Sequence, residues 1–81
     1  MAMDKHPQLA LIGKKIRDLR EERGYSQEGF AAEAGFDRAY YGGVERGERN
    51  ISAINLIKIA DFLSVEIGDL FPKVRSLKKI K

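Results

Sequence analysis

The chain has 81 residues, a net charge of +3 and no cysteine. Such a length allows one small domain that buries roughly 60% of its unfolded surface, so its stability should be modest and a dimer would help it. Without cysteine there are no disulfides, zinc-thiolate sites or thiol catalysis. No stretch approaches the ~20 apolar residues of a membrane span, and the opening "MAMDKHPQLALIGKK" lacks a signal-peptide core, so a soluble, cytoplasmic protein is expected.

The charge is unevenly divided. Residues 1–71 carry ten Lys/Arg against twelve Asp/Glu, a balance of −2, whereas 72–81 carry Lys73, Arg75, Lys78, Lys79 and Lys81 with no acid. A basic tail of this kind is either a solvated end or a source of contacts to phosphate or an acidic partner.

Five short segments make up the body, with Gly, Ser, Asp or Pro at each joint and no strand pattern. In the first, about 8–23, Leu9, Ile12, Ile16 and Leu19 recur at helical spacing among charged residues, and Gly24 is placed to end it. Ser26 is a good N-cap for the second, which carries Phe30, Ala31 and Ala34 on one face before Gly35. Asp37 caps the third, "RAYYGGVERG", where Tyr41 and Val44 turn inward. Adjacent Gly42 and Gly43 each cost this helix about 1 kcal/mol relative to alanine. From Ser52 the fourth runs "AINLIKIADFL", with Leu56, Ile59, Ala60 and Leu63 as its core stripe and Ile54, Ile57 and Phe62 on other faces. A helix so apolar all round should be buried on several sides. The fifth, "EIGDLF", offers Ile67, Leu70 and Phe71 before Pro72 stops it.

Two short helices joined by "AGF" fit the helix-turn-helix pattern, and a generic small helical bundle fits the same spacing. In the helix-turn-helix geometry the second helix enters the DNA major groove with its N-terminal residues at base edges.

Three stretches, "IRDLREERGYSQ", "DRAYYGGVERGERN" and "LIKIADFLSVEIGDLF", stand in an order and spacing that resemble the lambda-repressor-like (XRE) helix-turn-helix family over residues 11–71. The resemblance implies an all-α fold, a five-helix DNA-binding domain spanning 8–71, between a flexible start at 1–7 and the basic tail at 72–81. Short members of this family resemble phage repressors, restriction-modification controller proteins and antitoxins. The implied function is a transcription regulator, a repressor or an activator, that binds a pseudo-palindromic operator as a homodimer.

Carried over residue by residue, the family pattern implies an ion pair between Arg20 and Glu45 holding the third helix to the first. It also implies a phosphate clamp at Gln27, where helix N-terminal N–H groups favour an anion. Glu28 reads as a surface residue, because a carboxylate facing phosphate repels it. At the exposed start of the third helix Arg38 can bridge guanine O6 and N7 or meet a phosphate, Ala39 can meet a thymine methyl, and Tyr40 can place its hydroxyl on a phosphate or base edge. Arg46, Arg49 and Asn50 fall where the family contacts the sugar-phosphate backbone. Tyr41 departs from the family's usual aliphatic residue, and Ile51 replaces a common proline, which should loosen the loop. Gly42 and Gly43 are expected at or near the DNA face, with Gly43 letting backbone approach the groove. Ile57, Phe62, Ile67 and Leu70 are candidates for dimerisation.

No catalytic constellation is visible, since the one histidine, His6, has no partner. "GGVERG" lacks both the spacing and the lysine of a phosphate-binding loop. No metal or other cofactor is expected. A reading in another class is an antitoxin that binds a toxin partner and uses DNA only to control its own operon.

Overall fold

Ser26, Asp37 and Ser52 each begin a helix. In the computed structural model, which describes residues 6–73, their side-chain oxygens accept the backbone N–H groups of Gly29 at 2.9 Å, Tyr40 at 2.9 Å and Asn55 at 3.1 Å. Each bond satisfies one of the donors that a helix N-terminus leaves without a partner. The elements are α1 (Pro7–Glu22), α2 (Gln27–Ala34), α3 (Arg38–Glu45), α4 (Ala53–Leu63) and a 3-10 turn (Ile67–Leu70). No strand occurs among the described residues.

The expected fifth helix is therefore a single tight turn. Only a few residues separate Val65 from Pro72, and the bonds formed are i to i+3, from Asp69 N–H to Glu66 O and from Phe71 N–H to Gly68 O. Asp69 reaches back to accept the Glu66 N–H at 3.0 Å. The turn positions Leu70, whose side chain is fully buried.

At the other end, Pro7 occupies the first turn of α1, where its missing N–H costs nothing, and the His6 N–H donates to Gly47 O at 3.1 Å. α1 thus begins at Pro7, with His6 bonded to the turn that follows α3. Positions 1–5 and the tail residues Arg75, Lys78, Lys79 and Lys81 lie outside the described residues.

The core is built from the predicted stripes: Ile12 and Ile16, Phe30 and Ala31, Tyr41 and Val44, then Leu56, Ile59, Ala60 and Leu63. Tyr25, Phe30 and Phe62 meet edge-on, with ring centroids 5.1–5.6 Å apart, a geometry that aromatic quadrupoles favour. Ile51 joins the core at 8% exposure. Its apolar side chain anchors the loop between α3 and α4 on the core.

Burial also redraws the candidate dimer face. Leu70 is fully enclosed and offers no free apolar surface, Phe62 is half-buried with its ring against the core, and the exposed large apolar residues are Ile54, Ile57, Ile67 and Phe71. α4 is therefore covered along its stripe and flank, and its Ile54–Ile57 edge is open.

Two glycines set the approach of α1 to α3. A Cβ at Gly13 would run into the backbone carbonyl oxygens of Val44 and Glu45. Gly47 takes φ +77° after α3, and a Cβ there would stand 2.6 Å from the Ala10 Cα, so both its conformation and its surroundings require glycine. The C-terminal end of α3 is thereby pressed against α1.

Candidate nucleic-acid interface

What holds α3 in place is buried charge. Arg20 Nε donates to Glu45 Oε2 at 2.7 Å and Arg20 Nη2 to Glu45 Oε1 at 3.0 Å, a two-pronged pair whose side chains are 7% and 2% exposed. Arg20 Nη1 donates to Tyr25 O at 2.7 Å, and Gln27 Nε2 donates to Glu45 Oε1 at 2.9 Å. One carboxylate thus ties α1, the α1–α2 connection and the start of α2 to the last residue of α3. Burial pushes the Glu45 carboxyl up, but the hydrogen bonds from Arg20 and Gln27 and the charge of the Arg20 guanidinium outweigh it and hold it below its ordinary value of 4.5. The Tyr41 hydroxyl beside it has no hydrogen bond of good geometry, and burial, followed by the Glu45 carboxylate, pushes its pKa upward.

With α3 so held, little of it faces outward. Residues 41–45 are all buried, Arg38 and Ala39 are exposed, Tyr40 is half-buried, and Arg46 is exposed at the end. An open cleft runs between the starts of α2 and α3, lined by Gln27, Asp37, Arg38, Ala39, Gly42 and Arg46. Gln27, assigned to phosphate by the family pattern, lines this cleft while one of its amide donors is engaged by Glu45. The carboxylate therefore orients the side chain from behind.

The arginines at this surface already have partners within the chain. Arg38 Nη2 lies 3.0 Å from Glu28 Oε2, and Arg46 Nε lies 3.1 Å from Glu48 Oε1. Exposed pairs of this kind contribute about 0–1 kcal/mol, so they bias the guanidinium groups without locking them. Glu28, read from the sequence as a plain surface residue, is thus the partner of the leading base-reading candidate. Tyr40 stacks on Phe36 with centroids 6.2 Å apart, and its hydroxyl accepts from Asn55 Nδ2 at 3.1 Å. Sequence reasoning did not find Asn55, because its role depends on the start of α4 coming within reach of the Tyr40 hydroxyl, and neither its identity nor its position announces that approach.

Gly42 and Gly43 are not an open turn facing outward. They are buried, the first beneath Gln27 and Arg46 and the second beneath Arg49. Arg49 also lies over the Tyr40 ring, 5.9 Å from its centroid. Asn50 stands apart from the Arg38 cleft, in a separate depression with His6, Gln8, Leu9, Ile12 and Phe71. Among the described residues no group of His, Cys, Asp or Glu is placed to hold a metal ion, and no helix is long and apolar enough to cross a membrane.

A short α2, a tight turn and an α3 with an exposed basic start make up a helix-turn-helix arrangement. A sequence model described as helix-turn-helix matches residues 16–70, which include the whole of both helices. The chain belongs to the XRE-type helix-turn-helix family. It is 43% identical over 64 residues to the control protein C.MunI of a Mycoplasma species, covering 78% of this chain and 86% of that one. It is 41% identical over 61 residues to the control protein C.BamHI of Bacillus amyloliquefaciens, covering 74% and 75% of the two chains. The restriction-modification controller protein C.AhdI from Aeromonas hydrophila superposes with a TM-score of 0.77 at 45% identity, covering 82% of this chain and all of that one. In this helix-turn-helix frame α2 and α3 are the paired helices, and the Arg20–Glu45 pair lies behind the second of them. Members of the family are DNA-binding regulators of transcription.

Proposed function

We propose that this helix-turn-helix protein is a cytoplasmic, sequence-specific transcription regulator that binds a pseudo-palindromic DNA operator as a homodimer and represses by occluding the promoter. The observation that carries the reading is the exposed start of α3, where Arg38 and Ala39 stand beside Gln27 and Arg46 at a cleft between two helix N-termini. Helix N-termini favour phosphate, and the first residues of a second helix in this arrangement reach base edges. The family match and the similarity to restriction-modification control proteins support a regulator of that class.

In this reading Arg38 leaves Glu28 to take guanine O6 and N7, and Ala39 meets an apolar base edge. Gln27, Arg46, Arg49 and Asn50 position the protein on the sugar-phosphate backbone. Gly43 contributes backbone covered by Arg49, and Tyr40 contributes its ring face and a hydroxyl already accepting from Asn55. The homodimer forms through Ile57 and Ile67 with their exposed neighbours Ile54 and Phe71. Ile54 and Ile57 are three residues apart and share one edge of α4.

Arg38→Ala tests the base-reading role. Its affinity for the preferred duplex should fall by about 1–3 kcal/mol, with most of the loss confined to one base pair in each half-site. Fluorescence anisotropy against a panel of single-base variants measures it. An equal loss on every duplex would make Arg38 a phosphate contact and remove it from sequence reading.

A further inference from the structure

The side chain of Arg49 lies across the bare backbone of α3. A Cβ at Gly43 would stand 2.9 Å from Arg49 Cγ, 3.4 Å from Nε and 3.7 Å from Cδ. Arg49 Nε is buried and has no hydrogen-bond partner. The shaft is therefore held by packing rather than by an acceptor, between the α3 backbone and the Tyr40 ring, whose face lies 5.9 Å from the guanidinium carbon. That ring is itself fixed, stacked on Phe36 and bonded through its hydroxyl to Asn55. One residue earlier the arrangement repeats in part, since a Cβ at Gly42 would stand 3.0 Å from Arg46 Nη1 and 3.2 Å from Gln27 Oε1. The paired glycines are seats for side chains that come from outside the helix.

We propose that Gly43 is a positioning residue for DNA binding: it leaves the space in which Arg49 is laid down, so that the guanidinium stands fixed at the edge of α3 before a backbone phosphate arrives. The proposal rests on the DNA-binding reading above. A free arginine loses rotamer freedom when it engages phosphate, and one already seated has little left to lose, so the contact is stronger for the same hydrogen bonds. Any side chain larger than hydrogen at position 43 lifts the shaft and returns that freedom. The helix itself gains from the same change, because alanine favours it over glycine. Stability and binding should therefore move in opposite directions.

Gly43→Ala, Arg49→Ala and the combined variant provide the test, with two probes: the duplex recovered by selection from random sequence and a mixed-sequence duplex of the same length. The Gly43→Ala chain should melt at or above the wild-type temperature and bind about five- to tenfold more weakly at ~0.1 M salt. Its slope of log affinity against log salt should stay at the wild-type value, because the phosphate is still neutralised and only the ordering of Arg49 costs more. Arg49→Ala should bind at least as weakly, with a slope lower by about 0.9, the share of one phosphate, and the combined variant should be no weaker than Arg49→Ala alone. Wild-type affinity in Gly43→Ala, or losses that multiply in the combined variant, would overturn the proposal. A second readout does not need DNA. The Arg49 Nε–H should give a slowly exchanging NMR signal in the wild type that is lost in Gly43→Ala, and equal exchange in both would overturn the seat. Failure of the wild type to bind either duplex would instead refute the DNA-binding reading while leaving the seat to this NMR comparison.

Discussion

Glu45→Ala should lower stability by about 3–5 kcal/mol, because it leaves the Arg20 guanidinium buried without its carboxylate. In a domain of this size about 3 kcal/mol corresponds to roughly 12–24 °C in melting temperature, a large share of the total stability. Three donors to Glu45 lose their acceptor together, two from Arg20 and one from Gln27, and the joint between α1, α2 and α3 loses its centre. Replacing both Arg20 and Glu45 by methionine should cost less than either alanine change alone, since no charge is then stranded. Thermal melting followed by circular dichroism measures all of these, and an unchanged midpoint in Glu45→Ala would remove the pair from the account. The sign of the pH dependence follows from the same carboxylate. Its pKa is lower folded than unfolded, so its contribution is complete above the ordinary value of 4.5 and is lost as pH falls through the lower folded value. The stability gap between wild type and Glu45→Gln should accordingly narrow on acidification below about pH 4.5.

Gly13→Ala should destabilise the domain by about 3 kcal/mol, at the upper end of what overpacking costs. Helix propensity alone points the other way, by about 1 kcal/mol in favour of alanine. The clash decides the sign because the added methyl meets the backbone carbonyls of Val44 and Glu45, which cannot turn aside. Relief requires α1 and α3 to separate, which pulls Glu45 from Arg20. Gly43→Ala is the contrast, since there the methyl meets only the flexible side chain of Arg49. Melting temperatures of the two variants should shift in opposite directions, and a raised midpoint in Gly13→Ala would contradict the close approach of the two helices.

Features decided within a few residues were legible in the sequence. Ser26, Asp37 and Ser52 cap helices through bonds to residues three positions on, so their identity and spacing were enough. The stripes of α1 and α4 likewise identified Ile12, Ile16, Leu56, Ile59 and Leu63 as core. What depends on neighbours far along the chain was not legible. Gly13 carries no local sign that α3 will press against it. Gly42 and Gly43 look like missing side chains until Arg46, Arg49 and Gln27 are seen to fill the space. On α4, where almost every face is apolar, periodicity cannot say that Phe62 turns toward Tyr25 and Phe30 while Ile54 and Ile57 stay exposed. Leu70 was misplaced for a related reason: in a segment too short for a full helix, the expected face does not follow helical spacing. The resemblance brought Arg20 and Glu45 forward as a pair, and the fold sets them within hydrogen-bond distance across 25 residues of sequence.

The central claim is that the exposed start of α3 reads duplex sequence. Selection of bound DNA from a random-sequence library, followed by affinity measurements on the recovered and scrambled duplexes across a salt series, tests it most directly. Two inverted half-sites should be enriched and bound roughly 1,000-fold or more tighter than scrambled DNA, in the range of ~10³–10⁷ for specific regulators, with a steep loss of affinity as salt rises. Equal affinity for all duplexes, with no motif enriched, would contradict the claim.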